Sequence, residues 1–307
     1  MKIAITCLQL QRDIAAHRYR FEAAGHDLLV PRVVGQQLSG ADLVSALEGI
    51  DGVVAGDDHF DARVLRQLSS LKCISKWGIG LDAIDLGAAA ELGITVTNTP
   101  GVFGEEVADV ALGYIIMLAR HLHVIDAEVR AGGWPKPVGN SLRGATVCLV
   151  GLGSIGYSFA TRAAACGMRV LAVDPRPPAS IPVGVEVVPL PSALRSADYI
   201  VLTCDLNTTT FHILDEQALA LTPRGVRVVN VARGGLVDER ALVEAMRDGH
   251  VAAAALDVME VEPLPLDSDL RDLPVILGSH NASNSAEACD RTHVLAIQNL
   301  LQALENR

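Results

Sequence analysis

The chain has 307 residues, half of them apolar and only 4% aromatic, and carries 25 Lys and Arg against 36 Asp and Glu. This length fits two domains, and aliphatic cores poor in aromatics suit parallel sheets covered by helices. A net charge of −11 with no basic run argues against a nucleic-acid partner, and no stretch of about 18 uninterrupted apolar residues argues for a membrane span.

The opening MKIAITCLQL reads as a short strand and not as a signal peptide. Residues 2–6, 27–30, 52–55, 72–76 and 95–97 predict strands, and 12–24, 41–47, 61–68 and 86–92 predict helices. Together they form a small α/β domain. Its loop KWGIGLDAID, residues 76–85, places two glycines between a strand and a helix. Such a loop can present backbone N–H groups to an anion such as a carboxylate, with an ordinary strand–helix turn as the plain alternative. Residues 105–132 predict one long apolar helix, read as the crossing between two domains and as a possible dimer face. A Gly/Pro-rich loop at 132–143 marks a domain edge.

The densest signal lies at 145–175, ATVCLVGLGSIGYSFATRAAACGMRVLAVDP. Residues 146–150 predict a buried strand, 155–166 a helix and 169–173 a second strand. Gly151, Gly153 and Gly156 stand between the first strand and the helix, and Asp174 follows 18 residues after Gly156. In this strand–turn–helix–strand context G-x-G-x-x-G predicts a dinucleotide site. Gly151 permits the tight turn, Gly153 lets the backbone approach a pyrophosphate, and Gly156 lets the helix pack on the sheet. Ser154 and Ile155 then head the helix, whose N–H groups and positive dipole end face the phosphates. Asp174 would accept both adenosine ribose hydroxyls and repel a 2′-phosphate, which favours NAD over NADP.

Further strands are predicted at 197–204, 226–231, 251–256 and 275–277, and helices at 215–221 and 238–248. Ligands of open α/β sheets bind beyond the carboxyl ends of the strands. Arg233, Asp257 and His280 stand at or just past such ends, and Glu262 follows Asp257 in a loop. Arg233 can grip a substrate carboxylate and polarise a keto oxygen, His280 can exchange a proton with that oxygen, and Glu262 can pair with the imidazolium. Six scattered cysteines, at 7, 73, 148, 166, 204 and 289, include no C-x-x-C pair. They read as reduced structural thiols of a cytoplasmic protein, and no metal site is predicted.

GIGLDAID at 78–85, VTNTPGVFGEEVAD at 96–109, GLGSIG at 151–156, VNVARGGLVDERAL at 229–242, ALDVMEVEPLP at 255–265 and SHNAS at 279–283 together resemble the NAD-dependent D-2-hydroxyacid dehydrogenases of the phosphoglycerate dehydrogenase-like group. The resemblance implies two Rossmann-like or flavodoxin-like doubly wound parallel-sheet domains with a cleft between them. A substrate domain would comprise 1–98 plus 284–307, and a dinucleotide-binding domain 99–283. It implies Arg233, Glu262 and His280 as catalytic residues, with backbone at Ile79 and Gly80 on the substrate carboxylate. It also places Val231, Ala232 and Asp257 near the nicotinamide and implies a homodimer. Ala83 and Ser154 depart from the usual motif residues. Asp57 and Asp58 replace the basic residue usual after the strand at 52–55, and two acids there argue against phosphoglycerate as substrate. The rival readings are an NAD-sensing module like the corepressors sharing this fold, and a formate dehydrogenase-like enzyme. Glu262 speaks against the second, where a Gln is expected.

Overall fold

A computed structural model describes residues 1–306. The chain divides into two compact units, Met1–Val102 with the segment from Ser285 onward, and Phe103–Asn284. The first crossing falls four residues beyond the expected boundary at 98. Thr99 explains the shift: its N–H donates to the Gly78 carbonyl at 3.0 Å and its hydroxyl accepts from the Gly78 N–H at 3.0 Å. Those bonds hold the start of 99–102 on the first unit.

In the first unit β1 (Lys2–Ile5), α1 (Leu8–Ala23), β2 (Asp27–Leu29), α2 (Gly40–Ala46), β3 (Gly52–Ala55), α3 (Ala62–Leu65), β4 (Cys73–Lys76), α4 (Leu86–Glu91) and β5 (Thr95–Thr97) follow in order. The sheet order is β2-β1-β3-β4-β5 and every pairing is parallel. All eight residues of β3 and β4 are buried, as expected where helices cover both faces of a parallel sheet. The C-terminal helix, Ala286–Glu305, packs on β3 and β4. Ser285 caps it by accepting the Ala288 N–H at 3.0 Å.

The second unit runs through α5 (Gly104–Arg120), α6 (Leu122–Arg130), β6 (Thr146–Val150), α7 (Ser154–Ala165), β7 (Arg169–Val173), β8 (Val185–Val187), α8 (Leu190–Leu194), β9 (Tyr199–Leu202), α9 (Glu216–Ala220), β10 (Val226–Asn230), α10 (Glu239–Arg247), β11 (Val251–Leu256) and β12 (Val275–Leu277). Its seven parallel strands are ordered β12-β11-β10-β9-β6-β7-β8. Strand order reverses between β6 and β9, the place where a doubly wound sheet opens a ligand crevice.

Two expectations are corrected. The helix expected over 105–132 is two helices bent by 66° at His121, which adopts left-handed backbone with φ 56°. Both lie within the second unit, so this segment is not the connection between units. No single described helix is long and apolar enough to cross a membrane. β8 and α8 were not anticipated, because Pro and Gly crowd residues 177–191 and hide a three-residue edge strand.

Candidate active site

The glycine turn is built by contact. Gly151 has φ 98°, and a Cβ there would stand 2.6 Å from the Cys204 nitrogen. A Cβ on Gly156 would collide with the Gly151 carbonyl, which instead accepts from the Thr203 hydroxyl at 2.9 Å. Gly153 has open space where a Cβ would be. Beside it, among the described residues, no protein group accepts from the N–H groups of Gly153 and Ser154 at the head of α7. Open donors, a helix N-terminus and missing side-chain bulk are what a pyrophosphate requires. Asp174 is fixed at the end of β7: its carboxylate accepts the Leu152 N–H at 2.8 Å and the Arg176 N–H at 2.7 Å. Each oxygen keeps a lone pair for a ribose hydroxyl. The residues present thus fit NAD.

The second cluster follows β10, β11 and β12. His280 has left-handed backbone, φ 54°, and its N–H donates to the Asp257 carbonyl at 2.7 Å. The buried Asp257 carboxylate accepts from the N–H groups of Asn281 at 3.2 Å and Ala282 at 2.9 Å. Tyr114 of α5 adds its hydroxyl to the same carboxylate at 3.4 Å. Burial, then the charge of Asp257, push the Tyr114 phenol well above its usual range, so it stays a donor.

Glu262, before the cis Glu262–Pro263 bond, accepts the Met259 N–H at 3.0 Å with one oxygen. Its other oxygen takes the His280 Nδ1–H at 2.8 Å. The carboxylate oxygen is the acceptor in this bond, so Nδ1 carries the hydrogen. Arg233 follows β10, half-buried, with Nη1 donating to the Ala232 carbonyl at 2.8 Å. The buried Asn230 amide holds this turn, donating to the Arg233 carbonyl at 2.8 Å and accepting the Ala232 N–H at 3.1 Å. Val231 and Ala232 are buried within it. Gly234 lies so close to the Met259 backbone that a Cβ would overlap it. The Arg233 turn therefore rests on the segment whose Met259 N–H anchors Glu262.

In the first unit the Gly78 N–H is taken by Thr99, while the N–H groups of Ile79 and Gly80 meet no acceptor among the described residues. The Ile79 carbonyl accepts from Asn98 at 2.7 Å, which fixes the loop. Trp77 is buried and donates to His293 Nδ1 at 2.9 Å, so it packs the unit's interior. Of the two acids noted at 57–58, only Asp57 is accessible: Asp58 is 1% exposed. Three of the six cysteines are buried, Cys204 and Cys289 are half-buried and Cys166 is exposed. Tyr114 and Asn230 went unnoticed in the sequence. Asn230 is a polar residue ending an apolar strand, a signal that was readable; Tyr114 looks like any residue of an amphipathic helix.

The family model for the NAD-binding domain of D-isomer-specific 2-hydroxyacid dehydrogenases matches residues 112–282. A hydroxypyruvate reductase of Thermotoga maritima is 37% identical over 280 residues, 89% of this chain and 90% of that one. A D-3-phosphoglycerate dehydrogenase of Mycobacterium leprae is 40% identical over 236 residues, which is 75% of this chain and 44% of that longer protein. The solved glyoxylate reductase from Paecilomyes thermophila superposes with a TM-score of 0.85 at 28% identity, covering 99% of this chain and 95% of that one. The parallel-sheet architecture, the glycine turn and these likenesses together show that the chain belongs to the D-isomer-specific 2-hydroxyacid dehydrogenases, oxidoreductases that use NAD.

Proposed function

We propose that the protein interconverts a small 2-oxo acid, of the size of glyoxylate or hydroxypyruvate, and its 2-hydroxy acid. The observation that carries this reading is the 2.8 Å contact between His280 Nδ1 and Glu262. It fixes the tautomer, and Nε2 is the atom that gives a proton to the substrate C2 oxygen during reduction and removes it in oxidation. Arg233 holds the substrate carboxylate and polarises the C2 oxygen with its fork of N–H donors. In the first unit, the open N–H groups of Ile79 and Gly80 are donors suited to a substrate carboxylate. Gly151, Gly153, Ser154, Ile155, Gly156 and Asp174 hold NAD, with Val231, Ala232 and Asp257 beside the nicotinamide. When bound, NAD(H) supplies or accepts the hydride. Glu262 stabilises the imidazolium, a role that a module which only senses NAD would not need.

Trp134 is 78% and Val138 93% exposed, close in sequence to the exposed Leu122, Val124 and Val129 of α6. This apolar surface supports a homodimer. The free thiols suit a reducing cytoplasm. The test is NADH oxidation across glyoxylate, hydroxypyruvate, pyruvate and bulkier 2-oxo acids. Turnover abolished by Arg233→Ala supports the reading. Tight NADH binding with no turnover on any acid would make the protein a sensor.

A further inference from the structure

We propose that the ion-paired Asp57 and Lys76 form a filter that admits 2-oxo acids with an uncharged C3 group or none and rejects phosphorylated ones; this rests on the function proposed above. The carboxyl ends of β1, β3 and β4 bring Thr6, Asp57, Asp58 and Lys76 to one edge of the first unit's sheet. This edge includes the point between β1 and β3 where strand order reverses.

Asp58 takes no part in ligand recognition. It accepts from the Thr6 hydroxyl at 2.5 Å, the Leu38 N–H at 2.8 Å and the Gly56 N–H at 3.1 Å, and is buried. Asp57 and Lys76 are arranged differently. Lys76 Nζ donates to Asp57 at 2.9 Å and to the Trp77 carbonyl at 3.0 Å. It also lies 3.3 Å from where a Cβ on Gly78 would stand, and Gly78 directly precedes Ile79 and Gly80, whose N–H groups are open. The ammonium is the hidden partner: its side chain is 6% exposed, against 36% for Asp57.

A ligand whose carboxylate occupies this loop therefore meets an ion pair in which the carboxylate is the more exposed partner. A hydroxyl at C3 can donate to Asp57. A phosphate dianion meets the carboxylate first, and the lysine that would balance it is already paired. The sequence alone counted two repelling acids here; the structure leaves one, and pairs it.

The test compares kcat/KM for hydroxypyruvate and phosphohydroxypyruvate in the wild type and Asp57→Asn. The wild type should favour hydroxypyruvate by tenfold or more, roughly. Asp57→Asn removes the charge, keeps the shape and frees the lysine, and should narrow that ratio by roughly tenfold, mostly through KM. Calorimetric binding of glycerate and 3-phosphoglycerate to the NAD-loaded protein reads the same filter without turnover. If no 2-oxo acid is reduced but Asp57→Asn still tightens 3-phosphoglycerate relative to glycerate, the proposed reaction fails and the filter stands. Equal preference for phosphorylated and plain ligands in the wild type, or a ratio unmoved by Asp57→Asn, overturns the filter.

Discussion

The loop around His280 and the loop at Gly78–Gly80 solve opposite problems. Around His280 the polar groups are already engaged: Nδ1 by Glu262, the backbone N–H by Asp257, and the Asp257 carboxylate by three donors. At Gly78–Gly80 one N–H is taken by Thr99 while the next two have no acceptor among the described residues. In the proposed reaction His280 transfers a proton, and such a group must hold its tautomer and direction before substrate arrives, so its neighbours are fixed within the protein. A cradle for an anion does the reverse and leaves its donors for the ligand. Fixing His280 has a cost of about 1–2 kcal/mol for left-handed backbone, which the Asp257 contacts offset.

The contrast yields predictions of graded size. His280→Ala and Arg233→Ala should lower kcat by about 10²–10⁴ while NADH still binds, because the cofactor's glycine turn is untouched; weakened NADH binding as the main defect would put these residues in the wrong role. Gly234→Ala forces the Arg233 turn off Met259 and so shifts Glu262's anchor. It should cost activity nearly as severely and also lower the Tm, where a freely adaptable loop would tolerate it. Asp174→Ala should raise the KM for NADH by about tenfold and narrow its preference over NADPH.

Tyr114→Phe removes one of three donors to Asp257, and should raise the KM for NADH by only about twofold to fivefold. An effect as large as that of losing His280 would mean that the hydroxyl itself takes part in the reaction. The smallest effect is on stability. His17 and His293, in the first unit, are both held below the usual value of 6.5 mainly by burial. In that window the unfolded chain binds more protons than the folded one, so stability is full above about pH 6.5 and falls as the pH drops through the depressed values. The thermal midpoint should decline between pH 7 and 5, and His293→Gln should flatten the decline.

The architecture was legible because each of its signals is local. Apolar runs ended in Asp174, Arg233, Asp257 or His280, and the glycine spacing fixed the turn after β6. What stayed hidden depends on three-dimensional proximity. Nothing in the sequence says that His121 turns left-handed and breaks a helix, or that Asp58 turns inward while its neighbour Asp57 meets Lys76. Tyr114 reaches Asp257 across 143 residues, and no spacing rule covers that distance.

In the proposed reaction Glu262 holds the proton on His280 for reduction. The most direct measurement is the pH dependence of kcat/KM for 2-oxo acid reduction in the wild type and Glu262→Gln. Loss of the carboxylate should move the fall in rate at high pH towards acid, because the imidazolium loses its counter-charge. A profile that Glu262→Gln leaves in place would contradict the account and remove Glu262 from the mechanism.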